Sequence, residues 1–398
     1  MKILIGAICA LLALPVAATA ATDAEIQQGF EQSMAARGAR RPDIAEKILR
    51  QLIDERPNAG QLRFELGVSL AEQGRCAAAA RAFDVGRHLV HTPSFDRSVE
   101  AAMNDLCPGL APWEVTLGFN VVYDSNANGG AGDSTIDVGG VPLLLSPDAV
   151  AQKAYGYQLT GSVAYNYRIT ATSYIVPSIG FAIADYSGES LDTYSVTPGL
   201  AYRHKGDKID WRVGPLAILS YDHSGLSSHG LGISGRSSII INRRTGLYLD
   251  ASYLEISDAN NSLRDYAQAS VAATLVHNPA GTRMNLRAGL RYTDRNYKDD
   301  YQDIASLQLS LGVSGSLTDK IGYDLSYSHS ASRGSKDHYL FGSRKDKVDT
   351  ISASVSFANL EGWYGRPYVG VKHSRSNSTW GTKTYERTQL MLGFTRRF

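Results

Sequence analysis

Leu286-Arg287-Ala288-Gly289-Leu290-Arg291-Tyr292 sets an apolar side chain at every second position, with arginine or glycine between them. Successive side chains of a β-strand point to opposite faces, so this stretch has one oily face and one wet face. The same period returns in Tyr323, Leu325, Tyr327 against Asp324, Ser326, Ser328, and in Leu307, Leu309, Leu311, Val313. It returns again in Ile351, Ala353, Val355, Phe357 against Thr350, Ser352, Ser354, Ser356. A membrane barrel needs the oily face outward and the polar face toward the lumen, over roughly 9–11 residues per crossing.

A soluble β-sandwich alternates in the same way, and the connections separate the two readings. Strands are expected near 113–124, 154–168, 172–186, 191–203, 207–221, 228–241, 245–256, 262–276, 281–294, 301–315, 320–331, 346–358, 362–374 and 384–398. That makes about fourteen, the even number typical of single-chain bacterial barrels. Even-numbered links are short and rich in turn residues: Ile169 to Ala171, His204-Lys205-Gly206, Asn242-Arg243-Arg244, His277-Asn278-Pro279-Ala280, Ser316 to Asp319, and Asn359-Leu360-Glu361. Most odd-numbered links are longer and more polar: Asp124 to Lys153, Tyr221 to Ser227, Ser257 to Asn261, Arg295 to Asp300, Ser332 to Lys345, and Arg375 to Lys383. Short periplasmic turns and longer outside loops are the asymmetry of an outer-membrane barrel, and a sandwich has no reason to show it.

The start of the chain fits export. Met1-Lys2 precedes an apolar stretch from Ile3 to Ala17, and Ala18-Thr19-Ala20 supplies the small-x-small cleavage pattern, so residues 1–20 read as a signal peptide. Cys9 is a poor lipid-attachment site, because Ile8 before it is not small. No later run of about eighteen apolar residues offers a helical span, so the route into a membrane is the barrel. A hydrophobic content of 43% suits a barrel, in which alternate residues alone meet lipid. The 22 Tyr against 10 Phe favour the half-wet aromatic girdle at the membrane surfaces, with outer-membrane lipid as a partner. A formal charge of +1 argues for no nucleic-acid partner. Of the 3 Cys, Cys76 and Cys107 remain after processing; an oxidising periplasm allows a disulfide between them, and two buried thiols are the plainer alternative.

Residues 21–108 read differently. Between Asp23 and Leu106 apolar residues recur at helical spacing: Ile44, Ile48, Leu49, Leu52, then Leu62, Leu66, Leu70, then Ala79, Ala80, Phe83. Leu66, Gly67, Leu70, Gly74, Ala79 and Phe83 fall on the packing positions of a tetratricopeptide repeat, and Ala45, Leu49 and Pro57 keep register one period of about 34 residues earlier. Arg63 replaces the usual first-helix aromatic, and the second terminal proline is displaced to Pro93. The segment therefore reads as about one and a half repeats plus a terminal helix from Ser94 to Leu106, with Pro108, Gly109 and Pro112 breaking into a barrel of residues 109–398. The expected class is α + β in two domains: a short periplasmic tetratricopeptide-like helical array, then a transmembrane antiparallel β-barrel. Stacked helix pairs form a concave face suited to an extended peptide or a partner helix. Because an even-stranded barrel returns both ends to one side, the array sits below the pore.

The first strand ends in Phe119-Asn120-Val121-Val122-Tyr123-Asp124-Ser125-Asn126-Ala127-Asn128-Gly129. Asp124, Ser125, Asn126 and Asn128 are short polar residues that bond their own backbone, so they order the long loop that follows. The plain reading is an Asx-rich turn or a calcium site short of carboxylates; the functional one is a fold of that loop into the lumen or against a lateral opening. With helical repeats before it and a barrel after it, this motif resembles the surface lipoprotein assembly modulator (Slam) family, which carries a similar Asp-Ser-Asn-x-Asn sequence early in its barrel. The resemblance covers nearly all of the chain after residue 20. It implies an outer-membrane translocator that carries a protein substrate, a lipoprotein or a small secreted protein, from periplasm to surface, with the repeats receiving it. A periplasmic chaperone is a further partner on this reading.

The last strand places Leu390, Leu392, Phe394 and Phe398 on one face, which resembles the C-terminal signal read by the barrel-assembly machinery, although Arg396 interrupts it. Nothing points to an enzyme or a cofactor. Asp207 with Asp210, and Asp299, Asp300 and Asp303, flank turns where solvated acids are common; His223 with His229, and His88 with His91, lack further metal-ligand company. No motif selects one serine for a hydrolase triad. A porin-like channel would leave the repeats without a purpose. An exopolysaccharide-export channel usually carries many more repeats.

Overall fold

A computed structural model describes residues 22–107 and 113–397, apart from 139, 171, 207, 281, 319 and 361–364. The signal segment, the Pro108, Gly109 and Pro112 break and Phe398 lie outside the described residues, as do Ala171, Asp207, Asp319 and Glu361.

Five helices come first: α1 (Asp23–Gly38), α2 (Pro42–Glu55), α3 (Gly60–Glu72), α4 (Cys76–Val90) and α5 (Pro93–Leu106). Thr22 starts α1 with a reciprocal capping box to Glu25, and Thr92 caps α5 ahead of Pro93, whose fixed φ suits a first helical position. The helices pack on Leu49, Leu66, Leu70, Phe83 and Val99, all buried. On α2 the buried stripe is Ala45, Leu49, Leu52 and Ile53, while Ile44 is 37% exposed, so the expected apolar face is rotated. Gly67 lets α3 and α4 approach: a Cβ there would stand 2.5 Å from the Phe83 ring. Gly74, at φ +73°, turns the chain between those helices in the left-handed region that glycine tolerates. Cys76 and Cys107 are joined by a disulfide, which ties the start of α4 to the end of α5.

The barrel begins at β1 (Trp113–Asp124). The first loop carries a hairpin, β2 (Thr135–Val138) and β3 (Val141–Leu144), and the wall continues through β4 (Ala154–Tyr165) with its extension β5 (Tyr167–Arg168). Then follow β6 (Ser173–Tyr186), β7 (Thr193–Lys205), β8 (Ile209–Asp222), β9 (Gly225–Asn242), β10 (Thr245–Asp258), β11 (Tyr266–His277) and β12 (Met284–Tyr297). The wall ends with β13 (Ile304–Ser316), β14 (Ile321–His338), β15 (Gly342–Phe357), β16 (Arg366–Ser378) and β17 (Tyr385–Arg397). Each strand pairs antiparallel with the next, and β1 pairs with both β4 and β17, so fourteen strands close on themselves. Closure leaves no unpaired edge.

The two faces sort as the alternation requires. Outward positions such as Leu290, Leu325, Ile351 and Leu392 are about half exposed, with Leu392 at 58%. Outward aromatics gather toward both rims: Trp113 and Trp211 at the end holding both termini of the wall, Tyr155, Tyr253 and Tyr292 toward the other. Inward positions are mostly polar, with a few apolar ones such as Val176 and Leu216, and surround a cavity of about 630 Å³ lined in part by Glu114, Ser178, Arg212, Arg236, Asp250 and Arg291. An apolar outside and a polar inside are what a bilayer-spanning barrel needs.

Two of the long polar links expected from the sequence are strand instead. Tyr221 to Ser227 closes in a tight turn at Gly225, φ +115°, and Ser332 to Lys345 continues as a β14–β15 hairpin that turns at Gly342, φ +64°. Polar residues can extend a ladder beyond the membrane, because both faces meet water there while the backbone still pairs. Composition therefore misplaces these strand ends.

Cys76→Ser in the full chain should lower helix-unit stability by about 3–4 kcal/mol, the loop-closure contribution for a 31-residue separation. Hydrogen exchange checks it: amides of α4 and α5 should lose protection while barrel amides keep theirs. Equal protection in both forms would show that the bridge contributes nothing.

Candidate functional site

Side-chain networks concentrate at the two ends of the wall. At the loop end, Asp124 closes the first strand with a fully buried side chain that faces the lumen. Its carboxylate accepts from Arg387 Nε and Nη2 at 3.0 and 2.5 Å, from Gln389 Nε2 at 2.7 Å, from the Tyr186 hydroxyl at 3.4 Å, and from the Asn126 amide at 3.0 Å. A buried carboxylate is tolerated because every direction around it holds a donor. Asp124 thus joins β1, β6 and β17 across the seam where the sheet closes.

The next residues secure the loop from 125 to 153. Ser125 exchanges bonds with Thr388, its backbone N–H donating to the Thr388 carbonyl and its Oγ accepting from the Thr388 amide. Asn126, fully buried, accepts from the Gly130 amide and donates to the Gly130 carbonyl. Asn128 donates to the carbonyls of Asp148 and Val150 and accepts from the Gln152 amide, pinning the loop's outgoing end to its start. Farther along, Gly132 N–H donates to the Thr384 carbonyl and Ile136 packs on Gly381, so the loop leans over the β16–β17 connection. The motif is a weld between loop and seam.

At the turn end, the helices lie across the mouth. On one side, Arg97 of α5 donates to the carbonyls of Gly206 (2.6 Å) and Ser238 (3.4 Å), and Ser94 to that of Arg243. On the other, Asn58 donates to the Thr318 carbonyl at 2.9 Å and accepts from Arg366 at 3.2 Å. In the ring order β8 stands opposite β15, so these contacts bridge facing walls. An ion cluster between helix and wall centres on Arg203 of β7, which reaches Asp210 at 2.6 Å, Glu114 at 3.0 Å, Asn166 at 3.2 Å and Glu100 of α5 at 3.4 Å. Lys205 adds 3.0 Å to Glu100.

The other sequence-selected residues scatter. Leu390 and Leu392 point outward, with Phe394 half-buried beside Phe119 at 5.8 Å. Asp210 serves Arg203; Asp300 pairs with Lys336, and Asp303 accepts from the Tyr297 amide. His88 and His91 stack at 6.3 Å, and among the described residues no group of three or more His, Cys, Asp or Glu is placed to hold a metal. Sequence reading missed Arg203, Arg387 and Gln389. The available signal was a charged or amide residue at an inward position of an otherwise alternating strand.

Asp124→Asn should leave Arg387 short of a counter-charge and lower barrel stability by about 3 kcal/mol, toward the low end for a buried pair because Arg387 is 30% exposed. The temperature at which the folded band shifts in unheated-versus-heated electrophoresis should fall; an unchanged transition would rule out the weld. Arg203→Met should leave the barrel folded and release α5, seen as new protease cleavage between 93 and 107.

A family model described as "Surface lipoprotein assembly modifier" matches residues 113–398. No curated protein matches the chain. Among solved structures, the outer membrane channel DcaP of Acinetobacter baumannii gives a TM-score of 0.41 at 12% identity, covering 71% of this chain and 96% of that one. An anion-selective porin from Comamonas acidovorans gives 0.39 at 10%, covering 73% and 99%. OmpT, an outer membrane protein of Vibrio cholerae, gives 0.39 at 8%, covering 73% and 99%.

Proposed function

The chain belongs to the surface lipoprotein assembly modifier family, and from that premise we propose that it moves a lipoprotein or small secreted protein from periplasm to cell surface, with the helical unit receiving the substrate. Family and fold are those of an outer-membrane assembly and transport protein. The turn end and its helices face the periplasm on this reading, as short turns do in bacterial barrels. Residues 1–20 direct export, and the barrel-assembly machinery inserts the wall.

The observation that carries the proposal is the placement of the helices. They are bonded to opposite walls at one mouth, so a polypeptide entering there must pass them. A porin gains nothing from such an obstruction. A translocator gains a receiving surface directly against its entrance, where binding raises the local concentration of cargo at the pore. The polar lumen offers hydrogen-bonding side chains to an extended chain in transit.

Deletion of 23–106 tests this. The shortened barrel should still insert, shown by heat-dependent mobility, while surface display of a co-expressed lipoprotein falls to background. Undiminished display would remove the receiving role. Conductance that rises on deletion, with display never observed for the full chain either, would favour a channel plugged by its own helices.

A further inference from the structure

Where the helices leave the mouth incompletely covered, a groove of about 770 Å³ runs between α3, α4 and the inner ends of β15, β16 and β17. Six arginines line it: Arg50, Arg63, Arg75, Arg81, Arg366 and Arg396. Opposing them are Asp84 on the groove wall and Glu46, which holds Arg50 at 2.9 Å and Arg75 at 2.7 Å. Burial pushes the Glu46 carboxyl up, but hydrogen bonds from Gln73 and Arg50 and the charge of Arg75 outweigh it and hold the carboxyl below its ordinary range. Glu46 is therefore ionised at neutral pH, and the arginines still outnumber the carboxylates. The floor is apolar, made by Leu66, Leu70, Ala82 and Val85.

Location narrows what this charge can meet. Ser354, Ser356 and Tyr368 on the far side are inward-facing residues of β15 and β16, opposite in parity to the outward Ile351 and Val369. At β15 and β16 the groove therefore looks into the lumen, while Arg396, on the parity of the outward Leu390 and Leu392, joins it from the end of β17. An adjoining cavity of about 430 Å³ shares His88, His91, Ser354, Ser356 and Arg366 with it and continues along the inner wall to Ser314 and Asp324. A ligand in the groove lies on a path into the barrel.

We propose that this groove is the receiving site itself and that it takes an extended acidic polypeptide segment, whose carboxylates meet the arginines while apolar side chains rest on the α3–α4 floor. This deepens the transport reading above and rests on it. Arginine's planar fork suits carboxylates, and a partly exposed cationic groove attracts an anionic chain before contact is made. Because such contacts remain partly solvated, binding is salt-sensitive and reversible, as onward movement demands.

The test uses the full chain in neutral detergent and two fluorescein-labelled peptides, one alternating Glu with Leu and Ser, the other with Gln at each Glu. The Glu peptide should bind, weaken with salt, and lose roughly tenfold or more in affinity with the Arg75→Glu, Arg81→Glu double variant. Arg75→Lys, Arg81→Lys should keep most of it, and heat-dependent mobility should be unchanged in both. Equal binding of the Gln peptide, undiminished binding by the reversed variant, or preference for phosphatidylglycerol over the Glu peptide overturns the acidic-segment site. Expected peptide binding by a protein that displays no cargo in cells supports the groove and sinks the transport reading instead.

Discussion

A sheet that crosses a bilayer must have no edge, because lipid offers no partner to an unpaired N–H or C=O. Everything in this wall follows from closing the first strand on the last. The β1–β17 ladder runs from Thr116 opposite Arg397 to Asp124 opposite Gln389, and its register decides which residues meet lipid. A slip of one residue would turn Arg387 and Gln389 outward and bury Leu390 and Leu392 in the lumen. Asp124 makes that slip costly, since its carboxylate finds its donors only in the observed register. The Asx-rich motif is thus part of the closure. By holding the following loop through Ser125, Asn126 and Asn128, it also places the β2–β3 hairpin over the β16–β17 connection.

The opposite mouth is organised by a different need. Turn carbonyls at Gly206, Arg243 and Thr318 point away from the ladder and seek donors, and Arg97, Ser94 and Asn58 supply them. Arg203 gathers carboxylates from the wall and from α5 around one buried guanidinium, so the helical unit is seated by charge as well as by backbone capping. The bonds of this seating are polar, with Pro93 packed on Gly246 beside them, unlike the apolar interior of the helices around Phe83. A polar junction can yield without exposing a core.

Much of this was legible in the chain. Alternation in segments such as Leu286 to Tyr292 located the strands to within a few residues, since period two has one structural meaning in a run of that length. Helical spacing around Leu66, Gly67, Leu70 and Phe83 marked residues that do pack together, with Gly67 needed where Phe83 crosses. Errors came where composition stood in for geometry: Ser332 to Lys345 is polar because it lies beyond the membrane, and it is strand all the same. Ile44 looked like core and is not: the stripe of its helix that turns inward is Ala45, Leu49, Leu52 and Ile53.

The sequence by itself determined the kinds of element: a short helical array of about one and a half repeats with a terminal helix, a two-residue period repeated around an even ring, and an Asx-rich turn after the first strand. These are local consequences of side-chain spacing and backbone preference, and they need no partner to be read. The tertiary structure alone decided what those elements do to one another. Arg387 stands 263 positions from Asp124, and Asn58 lies 260 from Thr318. Such pairs are created by ring closure and by docking, and no local pattern records them. The groove beneath the barrel is of the same kind, because its arginines come from helices and strands that become neighbours only when the helical unit is laid across the mouth.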